Sequence, residues 1–100
     1  MSVKPNLEGF HASLKVVEPP MDWNSGLRSM WYDVQGNWDA SHDIAQNMSG
    51  PDGSWIHAYL HRKEGDKFNA EYWYRKAQKS FPKISIADEQ KTLVAYFIDP

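Results

Sequence analysis

The chain contains no cysteine. Disulfides, thiolate nucleophiles and cysteine-based metal sites are therefore excluded, and a metal ion could be held only by imidazoles and carboxylates. Neither sign of charge dominates: 11 Lys and Arg face 13 Asp and Glu, for a net charge of −2. Nucleic-acid binding needs a basic footprint, and none is present. No apolar run approaches the ~18 residues needed to cross a bilayer. A Gly-x-Ser-x-Gly elbow and a phosphate-binding glycine loop are both missing. The opening Met1-Ser2-Val3-Lys4-Pro5 lacks the apolar core of a signal peptide, so a cytoplasmic location is expected.

What the chain does have is aromatic surface. Five tryptophans and five tyrosines fall within 100 residues, the length of a single domain. Each large ring can bury roughly 150–250 Å², so a few of them could carry much of the core.

Residues 1–22 read as an irregular arm, interrupted by Pro5, Gly9, Pro19 and Pro20. Leu14, Val16 and Val17 suggest a short extended piece within it. The arm would lie on the helices or be exchanged between protomers. A first helix is expected to start at Asp22 or Asn24, to carry Leu27, Met30, Trp31 and Val34, and to end at Gly36. A second, over residues 37–48, carries Trp38, Ala40, Ile44, Ala45 and Met48. After the break at Ser49-Gly50-Pro51-Asp52-Gly53, Asp52 or Ser54 should cap a third helix that reaches Glu64. Gly65 can close that helix and Asp66 can cap a fourth, running to about Ser80, where Phe81-Pro82 prevents continuation. Residues 84–98 read as helix in preference to strand. Ser85 and Asp88 resemble a capping box, Leu93, Val94, Phe97 and Ile98 share one face, and no partner strand is evident.

The chain resembles itself at an offset of 29 residues: Ser29 aligns with Ala58, Tyr32 with His61, Gly36 with Gly65 and Ser41 with Ala70. The second copy continues through Tyr74, Ala77 and Pro82. Small residues at these positions let two helices approach, and rings fill the space beside them. The pattern resembles the tetratricopeptide repeat, although each unit is shorter than the usual ~34 residues. The segments Leu27-Arg28-Ser29-Met30-Trp31-Tyr32-Asp33, Gly36-Asn37-Trp38-Asp39-Ala40-Ser41-His42-Asp43-Ile44-Ala45-Gln46 and the stretch 55–77 also resemble a family of small bacterial proteins. That resemblance supports the element boundaries and implies no particular chemistry.

Two surfaces stand out as sites. His57, His61 and Glu64 follow i, i+4, i+7 spacing, which places them on one helical face, and His42 or Asp43 of the preceding helix could complete a zinc or nickel set. A zinc-protease helix would carry Glu directly after the first His, where this chain has Ala58. The simpler reading makes the imidazoles hydrogen-bonded packing groups, because His61 occupies a ring position of the repeat. Ser41, His42 and Asp43 cannot form a triad, since adjacent helical residues point apart. The second surface is the groove expected on the concave side of stacked hairpins. Trp55, Tyr59, Arg62 and Lys63 would line it with Met30, Asp33 and Val34, offering flat surface and a forked donor to a peptide. Trp73, Arg75 and Lys76 form a further exposed group.

Together these features predict an all-α fold of four or five short antiparallel helices in two tetratricopeptide-like hairpins. The arm spans 1–22, the first hairpin 22–50, the second 51–82 and a capping segment 83–100. The leading functional expectation is a non-catalytic protein- or peptide-interaction module needing no cofactor. The alternatives are a metal-binding protein or metalloenzyme built on His42, His57, His61 and Glu64, and a structural homo-oligomer.

Overall fold

The computed structural model describes residues 6–100. Among them are six helices and no strand: α1 (Leu7–Ser13), α2 (Ser25–Val34), α3 (Trp38–Gln46), α4 (Pro51–Lys63), α5 (Lys67–Lys76) and α6 (Ile86–Ile98). The fold is all-α. No helix among the described residues is long and apolar enough to cross a membrane.

Short polar side chains start most of these helices by accepting a hydrogen bond from an otherwise unpaired first-turn amide. Asn24 accepts from the Leu27 amide at 2.8 Å and Asn37 from Ala40 at 3.1 Å. Asp66 accepts from Asn69 at 3.2 Å and Ser85 from Asp88 at 3.0 Å. The two hairpin turns repeat each other in geometry. Gly36 and Gly65 both adopt left-handed backbone, φ +84° and +85°. The amide that follows each glycine donates back to the ring-bearing residue of its repeat, Asn37 to the Tyr32 carbonyl and Asp66 to the His61 carbonyl, both at 2.9 Å. These are Schellman-type closures, for which glycine carries no Cβ penalty.

α2 packs on α3 and α4 on α5, and α3 joins the two pairs by packing on α4. The small residues of the repeat lie at these contacts: Ser29, Ser41, Ala58 and Ala70 are fully buried, and the Ser29 hydroxyl bonds the Ser41 carbonyl at 2.8 Å. α6 lies against α2, α4 and α1. It comes so close to α2 that a Cβ on Gly26 would overlap the Phe97 ring.

Several expectations need correction, the first being the number of helices, six among the described residues rather than four or five because the arm contributes α1. The arm is helical over Leu7–Ser13, because Asn6 caps it by accepting from the Gly9 amide at 2.7 Å and Phe10 buries against the parallel ring of Trp23. Met1 to Pro5 lie outside the described residues, and Leu14, Val16 and Val17 form turns and bends rather than an extended segment. α4 begins at Pro51, ahead of Asp52 and Ser54. Gly50 at φ +85° turns the chain and the proline ring is already set for a first helical position. α5 stops at Lys76, where Gln78 takes a left-handed φ of 60° well before Phe81-Pro82. α3 likewise ends at Gln46.

α6 is seated by two buried carboxylates. Glu89 accepts hydrogen bonds from the Trp55 indole at 3.2 Å, from Arg62 at 2.9 Å and from the Tyr74 hydroxyl at 2.7 Å. Asp33 accepts from the Tyr59 hydroxyl at 2.7 Å, Lys63 at 2.9 Å and Gln90 of α6 at 2.8 Å. Burial first, and then these carboxylates, push the Tyr59 and Tyr74 hydroxyls above their ordinary range, so both remain protonated donors. The Arg62–Glu89 pair has side-chain exposures of 14% and 3%, so it is shielded from water. Removing one partner of such a pair strands the other. Arg62→Ala should therefore lower the unfolding free energy by about 2–4 kcal/mol in urea titrations. A loss within the ~0–1 kcal/mol typical of surface pairs would contradict the buried role.

Candidate metal centre

The face of the two hairpins where α3, α4 and α5 meet brings three histidines together. His42 projects from α3, and His57 and His61 project from successive turns of α4. The i, i+4 spacing sets the last two side by side, with stacked rings 4.9 Å apart. Nε2 of His42 lies 3.0 Å from Nε2 of His57, one donating and the other accepting. One ring nitrogen from each of the three histidines falls within 4.8 Å of the others.

Surrounding groups fix the rings. The Trp38 ring stacks on His42 at 4.7 Å and the Trp73 ring on His57 at 3.9 Å. Trp38 is itself anchored, since its indole donates to the Leu60 carbonyl at 2.9 Å. Nδ1 of His61 lies 2.7 Å from a Glu64 carboxylate oxygen. A carboxylate bound to one imidazole nitrogen orients the ring and leaves the other nitrogen free. Asp66 lies near His61 and Glu64 but is engaged as the α5 cap, with both its oxygens on Asn69.

His57 is buried, with 8% exposure, whereas His42 and His61 are half-buried. Desolvation, then the neighbouring His42 and His61, holds the His57 pKa down at about 4. Burial, then His61, also lowers the His42 value. His42 and His57 are thereby held toward the neutral form, which offers nitrogen lone pairs. Such donors suit zinc, nickel and copper ions.

Of the residues singled out in the sequence, His42, His57, His61 and Glu64 come together. Asp43 lies on the polar side of α3, its carboxylate taking up Gln46 and its carbonyl Asn47. The groove residues are placed differently from expectation. Tyr59 has 0% exposure, Trp55 and Asp33 are also buried, and Arg62 and Lys63 are turned onto Glu89 and Asp33. The open groove is corrected to an internal seat, because α6 supplies the apolar face and the polar partners that a docked peptide would have supplied. Met30 is fully buried as well. Trp73 is drawn from the exposed group onto His57, and Lys76 lies over the Trp73 and Tyr72 rings. Trp38, which was not among the expected site residues, forms a wall of the cluster. Its signal was present, since Trp38 and His42 are four residues apart on one helix.

His57 also ties stability to pH. An unfolded histidine titrates near 6.5, while the folded value is about 4. Between those values the unfolded chain binds the additional proton, so this contribution is intact above about pH 6.5 and is lost as pH falls toward 4. Unfolding free energy measured across that window should fall by about 1–3 kcal/mol on acidification. His57→Gln should flatten the slope whatever its effect on absolute stability. An identical slope in the variant would assign the acid sensitivity to other groups.

No protein-family model matches the chain, and no curated protein or solved structure matches it either.

Proposed function

We propose that the protein binds a divalent transition-metal ion of the zinc class through His42, His57 and His61. The observation that carries this reading is the convergence of three imidazole nitrogens within 4.8 Å on a partly open face. Zinc–nitrogen bonds of about 2.0–2.1 Å in a tetrahedron put neighbouring ligand atoms about 3.3–3.4 Å apart. The 3.0 Å approach of His42 to His57 is close to that edge, so an ion could replace the shared proton with little movement. Glu64 supports the reading from behind His61 as a carboxylate that orients a ligand, rather than as a ligand itself. The stacked Trp38 and Trp73 rings support it by limiting how far the imidazoles can turn.

Three protein ligands leave a fourth position for water or a small ligand, the arrangement that catalytic zinc sites keep and structural ones close. Zinc held by neutral imidazoles retains its full charge and would acidify a bound water toward pH 7. The hairpin pair with small residues at its contacts supports a tetratricopeptide-like scaffold beneath the site. Peptide capture by Trp55, Tyr59, Arg62, Lys63 and Asp33 would require α6 to leave its seat, against two buried carboxylates.

Calorimetric titration of metal-free protein with zinc should give one saturable site, with nickel competing for it. At zinc concentrations of about 100 Kd the fold should gain about 2.7 kcal/mol. Cobalt should quench the fluorescence of the adjacent tryptophans. His42→Ala and His61→Ala should each abolish saturation, while Asp43→Ala should leave it unchanged. Absence of saturable heat with zinc, nickel and cobalt would end the reading.

A further inference from the structure

α1, α2 and α6 enclose a cleft of about 450 Å³ that shares no residue with the histidine cluster. Leu7 and Phe10 of α1, Val34 of α2, and Val94 and Ala95 of α6 form its apolar walls. Its volume falls within the roughly 300–1,000 Å³ of small-molecule sites, which are mostly apolar with a few polar groups. Phe10 holds α1 in place by stacking on Trp23, and α1 also packs on α6. Leu7 nevertheless stays 54% exposed. A lone exposed leucine is ordinary, but this one lines an apolar cleft and adds surface that a ligand can cover. Water finds few hydrogen-bonding partners on such walls, so an aliphatic group is favoured in its place.

The polar lining is one-sided. Lys91 and His11 are exposed, and neither side chain has an ion pair or hydrogen bond among the described residues. No carboxylate lines the cleft. Glu8 follows Leu7 along α1 but is not part of the wall. Gln90 also lines the cleft, and its amide is committed to Asp33, whose charge Lys63 already answers at 2.9 Å. A sugar or nucleotide would set unpaired polar groups against Phe10 and Val94. An aliphatic amine would meet Lys91 with like charge.

We propose that this cleft binds a free aliphatic monocarboxylate. The tail lies against Phe10, Val34 and Val94. The carboxylate sits beside the Lys91 ammonium, with a ring nitrogen of His11 as a second donor. Charge complementarity at one end and apolar walls along the rest select this class.

The full chain is titrated calorimetrically with sodium hexanoate, octanoate and decanoate below their micelle-forming concentrations. One saturable site is expected, tightening by about fourfold for each added methylene. Lys91→Gln should weaken octanoate by about three- to fivefold and leave octanol unchanged, and Lys91→Arg should restore octanoate. Ala95→Trp, which fills the cleft from an exposed position, should abolish saturation by octanoate. Absence of saturation, or one affinity across the three chain lengths, would overturn the proposal. So would an equal loss of octanoate and octanol in Lys91→Gln. Nuclear Overhauser contacts to Phe10 from residues 1–5 or from a second copy, in protein without octanoate, would assign the cleft another occupant and overturn it as well.

Discussion

Glu89 stands on α6 with almost no exposure to water, and three donors from α4 and α5 end on its two oxygens. An isolated carboxylate in that position would cost far more than the surrounding apolar contacts return. The arrangement is stable only because Arg62 supplies the countercharge and Trp55 and Tyr74 fill the remaining acceptor positions. Asp33 does the same from α2, drawing Tyr59 and Lys63 of α4 and Gln90 of α6 to one point. Hydrophobic burial would hold α6 against the hairpins in many positions, and these directional bonds select one. Geometry decides here because the donors are rigid: an indole, two phenols and a guanidinium have few rotamers once packed.

This internal use of polar groups explains why the aromatic and basic face of α4 is covered rather than open. Aromatic and basic residues along one face of α4 have the composition of a recognition surface. Composition alone cannot distinguish a ligand from the chain's own last helix. α6 completes a core that two hairpins would leave open, and Trp55 and Arg62 donate to its Glu89. What is left half-open is the opposite seam, where α3 and α5 flank α4 and the imidazoles gather between Trp38 and Trp73.

The histidine cluster and an adjoining cleft lined by Gly53 and Ser54 lie on that same seam, one turn apart along α4. Their closeness follows from helical periodicity, since Gly53 and Ser54 are four and three residues before His57. His57 belongs to both, lining the cleft and holding His42 through Nε2.

Much of the local structure was legible along the chain. Asn24, Asn37, Asp66 and Ser85 announce helix starts by their chemistry, and Gly36 and Gly65 announce closures that need left-handed backbone. The repeat at 29 residues foretold the paired hairpins, and i, i+4 spacing foretold that His57 and His61 share a face. α1 was obscured by nearby prolines, although Asn6 and Phe10 carried the signals of a cap and a buried face. Long-range choices were not legible, because they depend on which elements meet. Only the tertiary structure decided that α6 takes the groove, that Glu89 is the buried partner of Arg62, and that His42 arrives within bonding distance of His57. Caps and turns are settled by bonds between residues three to five apart, which the order of residues specifies. Partnerships across 15 to 57 positions are settled by packing, where each contact depends on all the others.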